Sequence, residues 1–168
     1  MKLHSLEDLF HEQLRDMFDA EKQLVKALPK LAKASSSDEL RSAFEEHLEQ
    51  TRGHVEKLER VFELIGKKAR GRSCAAMEGI VEEGAELIDT DAEPMVMDAG
   101  LIASAQRAEH YEIAGYGCLH TWARQLNHHE AADVIEQVLR EEKEADQKLT
   151  QIAEGMVNLA AQHQPQGA

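Results

Sequence analysis

Apolar residues recur at helical spacing through four long stretches of the chain, and nowhere do they alternate as a strand would. The first predicted helix runs from about Leu6 to Lys33, with Leu14, Met17, Glu21, Leu24, Val25 and Leu28 on one stripe. Pro29 falls near its end and is expected to kink or thin the last turns. The run Ser35-Ser36-Ser37-Asp38 breaks the pattern and offers side-chain oxygens as N-caps. A second helix then reaches about Ile65, with Leu40, Phe44, Leu48, Thr51, Val55, Leu58 and Phe62 inward. Gly66 and the basic loop Lys67-Lys68-Ala69-Arg70-Gly71-Arg72 end it.

A third long helix is expected from about Pro94 to Gln125, followed by a turn at Asn127-His128-His129 and a fourth helix from about Glu130 to Ala160. About 28 residues separate the second and third, room for a crossover carrying a short helix near Ala76–Ile88. Two tight helix pairs joined by one long crossover is the connectivity of a ferritin-like four-helix bundle. The expectation is one all-α domain over residues 1–162, with a disordered tail at 163–168.

Composition agrees. Proline is rare, and straight-chain helix formers replace the β-branched and aromatic residues that a sandwich or barrel needs. With 19 Lys+Arg against 32 Asp+Glu, the formal charge of −13 argues against binding nucleic acid or an anionic membrane surface. No apolar run approaches the ~18 residues of a membrane span, and no leader follows Met1-Lys2, so a cytoplasmic location is expected. Cys74 and Cys118 are too few for a disulfide framework or a structural zinc site. Both read as small buried hydrophobes in a reducing compartment, with Cys118 near the inward face of its helix.

The informative feature is where the acids sit. At ~100° per residue, Leu14, Val25 and Leu28 fall within about 40° of Glu21, which puts that glutamate in the middle of the apolar stripe. Ala105, Tyr116 and Leu119 flank Glu112 in the same way, with Glu109 about 60° off. Ile135, Asp146 and Leu149 flank Glu142. Counting back from the two turns also places these acids at one depth. Glu21 faces the neighbourhood of Thr51, and Glu109 and Glu112 face Glu142 and Asp146. The second helix offers His54 there, with His47, Gln50 and Thr51 close by.

Acids on a core face are costly unless they are paired or bind metal. A layer of carboxylates with imidazole is the donor set that two divalent irons or manganeses require. The expected ligands are Glu21, His54, Glu109, Glu112, Glu142 and Asp146, with iron ahead of manganese and the choice among His54, His47 and Gln50 left open. The competing reading solvates some of these acids at helix edges or pairs them with Arg52 or Arg107. No nucleophile triad, phosphate-cradling glycine loop or CxxC pair is present.

The stretch Asp19-Ala20-Glu21-Lys22-Gln23-Leu24, followed by Lys26-Ala27-Leu28-Pro29-Lys30, resembles the start of the bacterial YciE/YciF stress-protein family. So do His47-Leu48-Glu49-Gln50-Thr51, Cys74-Ala75-Ala76-Met77-Glu78-Gly79, Glu109-His110-Tyr111-Glu112-Ile113-Ala114 and Glu141-Glu142-Lys143. The resemblance implies a ferritin-like bundle, homodimeric, associated with general stress and without an established reaction. It also implies that Glu21, and the pairs Glu109/Glu112 and Glu142/Asp146, correspond to ligand positions of rubrerythrin-type relatives. The second helix departs from that pattern, because Gln50 precedes His54 while Glu49 falls on the outer face. Two functions compete on this reading. One is a di-metal carboxylate protein for oxygen or peroxide chemistry or metal handling. The other is a non-catalytic structural or interaction dimer with a vestigial acidic layer.

Overall fold

The structure, a computed structural model, describes residues 3–163. Helix α1 (Leu6–Ala34) starts where the Ser5 hydroxyl accepts from the Asp8 N–H. It continues through the exposed Pro29 to Ala34. Ser37 caps α2 (Asp38–Leu64) in the same way, through the Leu40 N–H. The crossover carries α3 (Ala75–Ile88), and Pro94 occupies the first turn of α4 (Pro94–Gln125), where no N–H is missed. Helix α5 (His129–Ile152) runs on through a π-helical turn, Ala153–Val157, into α6 (Asn158–Gln162). Left-handed backbone at Gly66 and Asn127 ends α2 and turns α4 into α5. The tail expected at 163–168 lies, from residue 164 onward, outside the described residues.

Helix α1 pairs with α2 and α4 with α5, while α1–α4 and α2–α5 contacts close the bundle. The crossover helix lies against α1 and α4, and so covers that side only. It approaches α4 closely at Gly84, where an added Cβ would stand 2.8 Å from the Ser104 hydroxyl. Its start is tied down by a polar cluster. The Cys74 thiol accepts from the Met77 N–H as N-cap, donates to Asp16 at 3.1 Å and lies 3.0 Å from the Tyr111 hydroxyl. Tyr111 also donates to Asp16, and Asp19 accepts from the Cys74 N–H at 2.9 Å. Burial pushes the thiol pKa up, which disfavours the thiolate. Cys118 departs from expectation. It is exposed, because it sits about 120° round α4 from Glu112 and faces water.

The apolar core falls into two parts. One, around Leu24, Leu28, Leu40, Phe44, Leu101 and Ile102, lies toward the α1–α2 turn. The other, around Phe10, Leu14, Phe62, Leu119 and Ile135, lies toward the α4–α5 turn. Ionisable side chains separate them. The α1–α2 turn is itself held from across the bundle, since the fully buried Asp98 of α4 accepts from the Ser36 N–H at 2.8 Å and the Ser37 N–H at 2.7 Å. Hydrogen bonds to a charged group stabilise by more than neutral ones. Asp98→Ala is therefore expected to lower unfolding stability by about 2–4 kcal/mol, with Asp98→Asn in between. Urea denaturation checks this, and an unchanged midpoint for Asp98→Ala would refute the clamp.

Candidate metal centre

The separating layer is built by one or two residues from each bundle helix. Glu21 of α1, His47 and His54 of α2, Glu109 and Glu112 of α4 and Glu142 of α5 are all buried. They form two trios whose donor atoms lie within 4.8 Å of one another: Glu21, His54 and Glu142, and His47, Glu109 and Glu142. Glu142 belongs to both. His54 Nδ1 is 2.9 Å from Glu142 Oε1 and 3.5 Å from Glu21 Oε1. His47 Nε2 is 3.1 Å from Glu109 Oε1 and 3.8 Å from Glu142 Oε2. Both nitrogens nonetheless lack a partner in hydrogen-bond alignment. Glu21 Oε2, Glu109 Oε2 and both oxygens of Glu112 and of Glu142 are buried without a partner as well.

Among the described residues, the only other such atom is His120 Nε2. Buried polar atoms are normally satisfied, so eight orphans gathered in one layer need an explanation. Each trio could hold a metal ion between its donor atoms. The donor set, imidazole with carboxylate, suits iron or manganese. The residues fit a pair of metal ions.

Electrostatics describes what the layer does on its own. Burial would lower the pKa of both histidines, yet the carboxylates beside them win. Glu142 and Glu21 raise His54 to about 11, and Glu109 and Glu142 raise His47 to about 9. Burial raises Glu21 and Glu142, and Glu112 stands well above the usual carboxylate range through burial and then repulsion from Glu142, Glu21 and Glu109. The carboxylates thus favour the charged form of both histidines, while burial and mutual repulsion disfavour the charged form of the acids.

The surrounding groups orient the layer. Tyr116 donates to Glu21 Oε1, which leaves Oε2 free to face inward. Glu141 lies 2.8 Å from His54 Nε2, and its two oxygens accept from Lys57 at 2.7 and 2.6 Å. That chain engages the outer ring nitrogen and aims Nδ1 at Glu21 and Glu142. Gln50 Oε1 lies 3.2 Å from His47 Nδ1.

The structure thus brings together five of the residues expected from the sequence: Glu21, His54, Glu109, Glu112 and Glu142. It adds His47, left open before, and gives Gln50 a supporting place. Asp146 stands apart from both trios. Half-buried, it accepts from Gln106 at 3.1 Å and lies 3.4 Å from the exposed His110. Glu141 was missed. Arg52 pairs with Glu49, and Arg107 lies 3.9 Å from Glu83, so neither arginine neutralises the layer.

The sequence model of a domain of unknown function, DUF892, matches residues 5–162. Protein YciF of Escherichia coli (strain K12) is 45% identical over 164 residues, covering 97% of this chain and 99% of that protein. The crystal structure of the E. coli stress protein YciF superposes with a TM-score of 0.90 at 46% identity, covering 93% of this chain and 99% of that one. YcfI of Rhodopseudomonas palustris gives a TM-score of 0.87 at 39% identity, covering 89% and 95%.

The orienting chain generates an expectation that needs no metal. Glu141→Ala removes the anchor of the His54 ring and none of the layer's own ligands. Nitrogen NMR shifts of His54 in metal-free protein should move, while those of His47 stay. Unmoved His54 resonances would remove Glu141 from this role.

Proposed function

The chain belongs to the DUF892 family as a YciF-like, all-α bundle protein, and from that premise we propose that its buried layer binds two divalent metals, iron first and manganese second. The observation that carries this reading is the pair of trios sharing Glu142, each with ligand atoms within 4.8 Å of one another and with buried donor atoms left unpartnered. Glu21, His54 and Glu142 would hold one ion. His47, Glu109 and Glu142 would hold the other, with Glu112 between them as a further carboxylate whose two oxygens are both free. When bound, such a pair supplies redox chemistry toward dioxygen or peroxide, or a buffered store of metal.

The protein's own residues prepare the site. Tyr116 and Glu141 fix Glu21 and His54 from behind. Apolar side chains above and below keep water from the carboxylates. The competing function, a structural bundle with a polar network, is supported by the close His54–Glu142 and His47–Glu109 pairs, which balance charge without metal.

Metal discriminates between them. A ligand bound only by the folded state stabilises by RT ln(1 + [L]/Kd), about 2.7 kcal/mol at a hundredfold excess over Kd. For a chain of this size that is a rise of roughly 5–10 °C in melting temperature. Fe(II) under anaerobic conditions, or Mn(II), should produce it. Glu112→Ala and Glu142→Ala should abolish it, and Glu49→Ala, on the exposed face, should leave it intact. A melting temperature indifferent to both ions would favour the structural reading.

We also propose that the protein works as a homodimer, a reading supported by exposed Val96, Met156 and Leu159 on α4 and the C-terminal turns packed against it. Light scattering is expected to report twice the 18.8 kDa of one chain. A particle of one chain at micromolar concentration would overturn it.

A further inference from the structure

Helix α3 lies across α1 and α4 on one side of the buried layer, where a cavity of about 40 Å³ also reaches Glu109; no helix covers the opposite, α2–α5 side, and the cavity there is larger. Between α2 and α5 a cavity of about 130 Å³ runs inward, lined by Ala43, Phe44, Ala145 and Leu149, with His47 and Glu109 also in its wall. That is roughly ten times the ~10–15 Å³ that one water needs, and too small for a bulky organic molecule. His47 and Glu109 are only 7% and 2% exposed, and His47 Nε2 and Glu109 Oε2 have no hydrogen-bond partner. Glu46, Glu144 and Lys148 also line this cavity, and Lys148 pairs with Glu46 from the facing helix. Outside, the same seam widens into a shallow groove carrying Glu46, Glu49, Glu141 and Glu144 against Lys57 and Arg140.

From these observations we propose that the α2–α5 seam is the route by which a divalent cation reaches the layer, arriving first at His47 and Glu109. The proposal rests on the metal reading above and assigns it a direction. Two features support a small cation. The small side chains of Ala43 and Ala145 line the passage. Inside it lie a nitrogen and an oxygen, His47 Nε2 and Glu109 Oε2, without hydrogen-bond partners. Lys148, lying against Glu46, is the positively charged gate: it opposes an arriving cation, and it is exposed enough to swing away. None of the residues in the passage other than His47 and Glu109 belongs to the trios, so access and affinity are separable.

Stopped-flow loading of the metal-free full-length protein with Co(II), whose visible absorption reports carboxylate and imidazole ligation, tests this. Ala145→Phe narrows the passage and is expected to slow loading about tenfold or more, with the final amount bound unchanged. Lys148→Glu, a surface change that cannot unfold the bundle, should speed loading severalfold at low salt, and the gain should fade as ionic strength rises. Equal loading rates for the parent and both variants would overturn the route while leaving the metal reading standing. A parent protein that binds no Co(II) would overturn both. Should Ala145→Phe melt early, the Lys148→Glu rate alone decides, and an unchanged rate there refutes the route.

Discussion

Six ionisable side chains held out of water at one depth are the constraint around which this bundle is organised. Isolated charges in such a place would cost several kcal/mol each. The protein meets that cost by mixing signs, with His54 against Glu142 and Glu21, and His47 against Glu109. The compensation is incomplete, since eight buried donor or acceptor atoms remain without partners. An apolar layer of the same volume would stabilise the bundle better. Keeping the charges splits the core into two apolar halves and leaves each half to fold around its own turn. Such a local violation of good packing is what a functional site looks like in an otherwise consistent sequence.

The rest of the molecule serves that layer. Asp98 fixes the α1–α2 turn from α4, and so sets how far Glu21 and the α2 histidines stand from the end of the bundle. The Cys74–Asp16–Tyr111 cluster pins the crossover over α1 and α4. Small side chains on α2 and α5 leave the other side accessible. Closure and opening are thus properties of different helix pairs.

Much of this was legible in the sequence, and the limits have physical causes. Four long helices, the crossover helix and both turns follow from periodicity and from the Ser-rich and Asn-His breaks. Glu21, Glu112 and Glu142 were legible because an acid in the middle of an apolar stripe has few alternatives. Asp146 shows where that reasoning ends. About 40° off the stripe, a side chain can face the core or the helix seam, and Gln106 on the neighbouring helix draws it to the seam. Glu141 was illegible for the opposite reason to Glu142. It sits half-buried on a boundary face, and only its contacts with His54 and Lys57 distinguish it from a solvated acid. His47 and His54 are seven residues apart, two turns along one face, so spacing could not choose between them. The structure uses both, one in each trio.

The two trios are unequal, and the inequality follows from their surroundings. Glu21 and His54 are wholly buried and braced by Tyr116, Glu141 and Lys57, groups that themselves come from three helices. His47 has one outer partner, Gln50, from its own helix, and shares the wall of an open cavity with Glu109. A braced ligand set keeps its geometry whatever it holds, whereas a set with one local brace can shift as its contents change. Because Glu142 is common to both, the enclosed trio and the trio beside the cavity meet at a single carboxylate.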